Sequence, residues 1–343
     1  MRRRSASRWL PLALWCAACA PGPAEPELQT TVFRGSTMGT YYVTQVVTSG
    51  LAEDQQSRLQ AIIEGELEAV DGKMSTWKPD SEVSQFNRHR ETTPFAVSAE
   101  TFEVAAAAGD IWHLSGGALD ATMGPLIDAW GFGSEGEVTD LGEAQIGELL
   151  EQIGFDQLTL DAESQSLSKA LPDLSVNLSS IAKGYAVDRV HDALLAEGLD
   201  DVWVEVGGEV RASGRNAEGR VWRLGIERPV ETPGGLQRIV PLDGAAVATS
   251  GDYRNYRERD GERFSHIIDP RNGWPIRHRL ASVSVVHAQC MVADAWATAL
   301  LVLGPDEGWE LAERENLAVL MLVREGEDFA ERMTPAFAAR IAP

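Results

Sequence analysis

The chain has 343 residues, 44% of them hydrophobic and 24% charged, ordinary values for a folded protein and enough for one large domain or two smaller ones. With 30 Lys and Arg against 52 Asp and Glu, its formal charge is −22, a field that repels nucleic acid and anionic lipid. An anionic ligand therefore needs a local counter-charge: a bound cation, a lysine or a helix N-terminus.

The start reads as a targeting segment. MRRRSASR is a basic region, WLPLALWCAA is an apolar run too short to span a bilayer permanently, and CAAC follows. Residues 1–18 are expected to be an export signal, and Cys19 resembles the lipidated cysteine of a bacterial lipoprotein, although Cys16 stands where such signals usually carry Leu. APGPAEPELQT then makes residues 19–30 a lipidated N-terminus and tether, and 31–343 the folded domain. Cleavage before Cys19 removes four arginines and no acidic residue, so the mature chain becomes more acidic still. Cys290 is then the only cysteine in the folded part; no internal disulfide is available, and its apolar surroundings suit buried packing rather than a nucleophile.

Downstream, TVFRGSTMGTYYVTQVV (31–47) alternates and predicts two strand segments. Leu59, Ile62, Ile63, Leu67 and Val70 recur at helical spacing within 51–75. A second helix is expected over 98–116, with Ser98 as N-cap and Gly116 or Gly117 ending it, and a third over 141–154. LTLDAESQSLSKA reads as a hairpin, and 179–198 as a helix capped by Ser179 or Ser180. Strands follow in DVWVEVGGEVRASG, VWRLGIE, RIVPLDGAAVATSG, RFSHIID and ASVSVVHA. The helix 289–304, another helix, the strand LAVLMLV and a short tail close the chain. Helices and hairpins without regular βαβ alternation predict an α+β fold.

Five stretches carry candidate chemistry. TMGT (37–40) reads as a bulge after a strand. In GGALDATMGP, Asp120 and Thr122 are placed to cap the next helix, and the glycine-rich turn equally suits a phosphate. In NLSSIAKGYAVD, Lys183 sits on a first helical turn, which favours an anion; a capped helix with a surface lysine fits as well. In VADAWATAL, Asp294 and Thr298 share a helix face among apolar neighbours. A buried carboxylate there needs an ion partner or a hard cation such as Mg²⁺. In RFSHIIDPRNGWP, His266 and Asp269 stand three apart beside a sharp turn, as a catalytic pair or as a strand end.

Taken in order, TMGT, MSTWKPDSEVSQFN, GALDATMGPLIDAWGFG, NLSSIAKGYAVD, VEVGGEVRASG, ATSGDYRN, HIIDPRNGWP and VADAWATALLVLG closely resemble the ApbE family, the FAD:protein FMN transferases. The resemblance implies a two-lobed domain of mixed and antiparallel sheets flanked by helices, with FAD between the lobes. It implies Mg²⁺-dependent transfer of FMN from FAD to a Thr or Ser hydroxyl of an acceptor protein, with release of AMP. Hydrolysis of FAD to FMN and AMP and non-catalytic flavin storage are the alternatives. Carried over by motif, Met38, Trp77, Ala118, Leu119, Asp120, Asn177, Lys183 and Ile268 fall at cofactor-contacting positions. Magnesium falls to Asp294 and Thr298, with Ser180 and Ala297 acting through backbone carbonyls, and His266 to the place beside the attacking hydroxyl. The family usually has Asp where this chain has Asn177, which keeps an acceptor oxygen and loses a charge. Acceptors are expected among subunits of membrane redox complexes, nucleic acid is not a partner, and the lipid anchor implies the periplasmic side of the inner membrane.

Overall fold

A computed structural model describes residues 27–133, 141–230, 235–252, 256–259 and 262–341. The export segment and Cys19 lie outside the described residues. The first half runs β1 (Gln29–Thr37), β2 (Thr40–Thr48), α1 (Glu53–Met74), α2 (Glu82–Arg88), β3 (Phe95–Ala96), α3 (Ala99–Leu114), α4 (Gly124–Ala129), α5 (Glu143–Leu150), β4 (Leu158–Asp161), β5 (Ser166–Lys169) and α6 (Ala182–Ala196). The second half opens with β6 (Val202–Val206), β7 (Glu209–Ser213), β8 (Trp222–Glu227), β9 (Leu236–Leu242), β10 (Ala245–Gly251), β11 (Tyr256–Arg259), β12 (Glu262–Ser265) and β13 (Leu280–His287). It closes with α7 (Cys290–Arg314), β14 (Ala318–Glu325), β15 (Asp328–Met333) and α8 (Pro335–Ile341).

An eight-stranded sheet in the order β1-β2-β6-β7-β10-β13-β14-β15 is the frame, and every pairing between its neighbours is antiparallel. The α+β expectation holds, and of the mixed or antiparallel sheets expected the paired strands are antiparallel. The only parallel contact among the described residues is the isolated bridge between Met123 and Ser175. Both faces of the sheet are covered, so its central strands are apolar in both phases. Along β14, Val319, Met321 and Val323 enter the core shared with α1, α3, α6 and α7, whereas Ala318, Leu320 and Leu322 enter the core shared with β8, β9 and α8. The expected tail is thus a strand and a helix, and Phe337 of α8 is fully buried.

Several local expectations change. TMGT is not a bulge but the two-residue turn of the β1–β2 hairpin, since Thr37 pairs with Thr40 and Met38 and Gly39 take φ of 48° and 72°. RIVPLDGAAVATSG divides between sheets: β9 pairs with β8, while β10 joins the main sheet. The strand expected through RFSHIID stops at Ser265, and only Ile268 pairs again, with Pro275. Ser98 does cap α3 by accepting from the Thr101 N–H.

Helices α6 and α7 pack at unusually close range. A Cβ on Gly184 would sit 2.4 Å from the Cys290 carbonyl oxygen, a backbone atom that cannot step aside. Gly184→Ala is therefore expected to destabilise the protein by about 1–3 kcal/mol, the usual cost of overpacking. Gly65, in mid-α1 with open space around it, is the control: Gly65→Ala should stabilise by about 1 kcal/mol. Urea unfolding midpoints of the two variants measure the contrast.

Candidate functional site

Beside the main sheet stands a small satellite core of Leu126, Trp130, Ile146 and Ile268, joined by Trp274 and Phe132. It brings α4, α5 and the loop 266–275 together. The loop is fastened at several points. The Asp269 carboxylate accepts from the Arg271 N–H and guanidinium at 2.9 Å, and Trp130 Nε1 donates to the Gly273 carbonyl at 2.9 Å. Gly273 has φ 76°, and a Cβ there would lie 2.5 Å from Ile146, so this turn requires glycine. Asp269 thus fixes the loop that carries His266, whose ring meets Phe132 edge to face at 6.3 Å.

Between the satellite and the sheet lies a cavity of about 740 Å³. Its walls include Met38 from the β1–β2 turn, Ala118, Leu119 and Asp120, Ser180 and Lys183 at the start of α6, His266 and Ile268, and Asp294 and Thr298 of α7. Nine of the twelve cofactor and metal candidates line it, as does His266; Trp77, Ala297 and Asn177 do not. Trp77 is 68% exposed in the loop between α1 and α2, so solvent rather than the cavity surrounds it. Ala297 has its side chain wholly buried in the main core, so that only its carbonyl, the group expected to act, could serve a ligand. Asn177 turns its side-chain oxygen to the Ser179 N–H at 3.0 Å, shaping the approach to α6 instead of facing the cavity.

The capping expectations also change. The N-cap of α6 is Ile181, with no side-chain hydrogen bond, so neither Ser179 nor Ser180 caps it. The acceptor comes from α7: Asp294 Oδ2 takes the Gly184 N–H at 3.0 Å. Asp120 and Thr122 do not cap α4 either. Asp120 accepts from Trp112 Nε1, the Phe155 N–H and the Thr122 N–H and hydroxyl, and the Thr122 hydroxyl accepts from the Gly154 N–H. These bonds tie the glycine-rich turn to α3 and to the 154–155 corner. Burial pushes the Asp120 carboxyl upward, partly offset by those donors.

Charge concentrates at one end of the cavity. Lys183 Nζ lies 2.7 Å from Glu209 Oε1 and 3.8 Å from Asp294 Oδ1. It is neither a surface lysine nor a lone anion-binding group. Burial raises the Asp294 carboxyl to about 7, against the pull of Lys183 and with Glu209 adding repulsion. Thr298 Oγ1 is 3.1 Å from Ser250 Oγ on β10. Burial drives the Cys290 thiol upward, in keeping with a packing role. No group of three or more His, Cys, Asp or Glu suited to a metal occurs among the described residues. The donors here are a carboxylate, hydroxyls and backbone carbonyls, a hard oxygen set suited to Mg²⁺ rather than zinc. Glu209, absent from the sequence candidates, also has a buried Oε2 with no partner. Its signal in the sequence was a charged residue directly after a Gly-Gly turn.

A model of the ApbE family matches residues 38–321. A Vibrio cholerae serotype O1 protein named FAD:protein FMN transferase is 43% identical over 332 residues, covering 96% of this chain and 97% of that protein. The solved flavin transferase ApbE from Vibrio cholerae superposes with a TM-score of 0.83 at 40% identity, covering 91% of this chain and 99% of that one. The apo form of Pseudomonas stutzeri flavinyl transferase ApbE gives 0.83 at 40% identity, with 92% and 97% covered.

The raised Asp294 carboxyl makes stability depend on pH. A group whose folded pKa of about 7 exceeds its ordinary 3.8 stabilises the fold below 3.8 and loses that contribution as pH rises through 7. In chelator, the melting temperature of the wild type relative to Asp294→Asn should therefore fall between pH 4 and 7. A pH series of thermal melts of both proteins measures it.

Proposed function

This chain belongs to the ApbE family, and from that premise we propose that it transfers the FMN part of FAD to a Thr or Ser hydroxyl of an acceptor protein, releasing AMP. The observation that carries this reading is the single cavity in which His266, Lys183, Asp294 and Thr298 line common walls, although they are distant in sequence. Met38, Ala118, Leu119 and Ile268 supply apolar and backbone surface in the same cavity for the flavin.

Asp294, Thr298 and the carbonyl of Ser180 are the residues that would hold Mg²⁺. The buried surplus of carboxylate over lysine fits a cation there. Bound magnesium would supply charge neutralisation for the pyrophosphate. The residues do the rest. Lys183 balances charge on the phosphates from the first turn of α6, where the N–H groups also favour an anion. His266 accepts the proton of the acceptor hydroxyl at an imidazole nitrogen as its oxygen bonds to the FMN phosphorus. The bond from that phosphorus to the bridging oxygen breaks, and AMP departs with the electron pair. The loop bonds made by Asp269 keep the imidazole in place.

The acceptor is proposed to be a subunit of a membrane redox complex, and the enzyme to be lipid-anchored through Cys19 on the periplasmic side of the inner membrane. Cys19→Ala should then move the protein from the membrane fraction to the soluble fraction in cell fractionation. A wild-type protein that is already soluble, with a mature N-terminus beyond Cys19, would rule the anchor out.

Incubation with FAD, Mg²⁺ and an acceptor protein should add the mass of FMN, less water, to the acceptor and release AMP in equal amount. AMP release without a mass gain would mean hydrolysis, and FAD binding without AMP would mean storage. His266→Ala should retain FAD binding by fluorescence titration while transfer slows by about 10²–10⁴-fold, the usual worth of a positioned base. Loss of FAD binding with normal turnover of what still binds would make His266 a cofactor-holding residue instead.

A further inference from the structure

Glu209 opens β7 immediately after the Gly207–Gly208 turn, whose glycines take φ of 64° and 112°. It lies on the strand phase opposite Val210 and Ala212, which pack in the core of β8 and β9, and so it faces α6. Its side chain is only 6% exposed, yet it lines the cavity. One oxygen is occupied, with Oε1 2.7 Å from Lys183 Nζ. The other, Oε2, is buried without any hydrogen-bond partner.

The charges around it do not balance. Lys183 is shared between Glu209 and Asp294, at 2.7 and 3.8 Å, so one ammonium faces two nearly buried carboxylates. With both carboxylates ionised, a surplus buried negative charge beside an open acceptor is strongly unfavourable unless something positive completes it. A neutral hydroxyl from a ligand would satisfy the acceptor and leave the charge. A cation answers both deficits.

We propose that Glu209 is a further acidic member of the cation site, with its unpartnered Oε2 serving as an acceptor for the hydrated divalent ion. This rests on the cation site proposed above. Mg²⁺ dehydrates reluctantly and usually keeps several waters, so acceptors around the first ligands matter to its affinity. Oε1 meanwhile holds Lys183, so a single carboxylate joins the lysine to the ion.

The test uses Mn²⁺ as the probe, with the full protein and no FAD, and follows binding through the electron paramagnetic resonance signal of free Mn²⁺. Glu209→Gln keeps shape and one carbonyl oxygen but loses the charge. It should raise the Mn²⁺ dissociation constant by about 10–100-fold, the range for residues supporting metal ligands. Glu209→Asp, which keeps the charge, should recover part of the loss. Glu209→Gln in chelator should keep the wild-type circular dichroism spectrum and a cooperative melt, so that a loss of affinity is not a loss of fold, even though its ion pair with Lys183 is gone. The same weakening should appear when Glu209→Gln is made in a Lys183→Met background; if it vanishes there, Glu209 acts only through the lysine and the proposal fails. Wild-type Mn²⁺ affinity in Glu209→Gln, with binding lost in Asp294→Ala, would overturn the role of Glu209 alone. Wild-type affinity in Asp294→Ala as well would overturn the cation site itself.

Discussion

Helices α6 and α7 complete each other's first turns, and the cavity depends on that exchange. Asp188, on α6, accepts from the N–H groups of Cys290 and Met291 that open α7, both at 2.9 Å. Asp294, on α7, accepts from the N–H of Gly184 in the first turn of α6 at 3.0 Å. A helix start leaves N–H groups without intrahelical partners, and a carboxylate there satisfies donors and meets the positive end of the dipole. Each capping contact is worth about 1 kcal/mol, but its larger effect is geometric. It sets Lys183 and Ser180 of one segment against Asp294 and Thr298 of another. The exchange also requires close approach, which Gly184 alone permits at that crossing.

Strand β7 supplies the matching charges. Its phase toward α6 carries Glu209 and Arg211, which meet Lys183 at 2.7 Å and Asp188 at 2.8 Å. Thus a strand of period two reads two positions five apart on one helix, acid to base and base to acid. Buried pairs of this kind add little net stability, because desolvation consumes much of the attraction. They do penalise any slip of α6 along the sheet, since a slip would leave charges buried and unpaired. The arrangement therefore contributes registry more than binding strength, and registry is what a site assembled from at least five separate segments needs.

How far the sequence foretold this follows from which contacts are local. The long helices, the hairpins and the Ser98 cap depend on near neighbours, and they were legible. The same holds for Asp294 and Thr298 on one helix face and for the loop that presents His266. The α6 cap was misread because two serines stand where a local cap would be, while the real acceptor lies 110 residues away. Asp120 and Thr122 look like capping residues for α4 but serve Trp112 and the 154–155 corner, again through contacts invisible to spacing. Glu209 and Arg211 alternate with Val210 and Ala212, a pattern that ordinarily means a solvent face. Here the polar phase is covered by α6, and only the complementary charges on that helix make the burial tolerable. Trp77 and Ala297 came from motif position alone, and neither lines the cavity.

The cavity's own charge then bears on how its ligands act together. Lys183 is the only Lys or Arg among the described residues that line it, while Asp120, Glu205, Glu209, Glu227 and Asp294 all do. A pyrophosphate entering such walls without a cation meets mostly like charge, on a protein whose formal charge is already −22. A cation entering without the pyrophosphate finds acidic acceptors but also the competing ammonium of Lys183. With both present, a cation held by the acidic residues would offset the charge of the phosphates, and Lys183 would no longer face carboxylates alone. In the proposed chemistry, cofactor and metal therefore favour each other's binding, and linkage requires that the factor be the same in both directions. The acidity that demands a local counter-charge for any anionic ligand would, on this reading, make the binding of that ligand conditional on a cation.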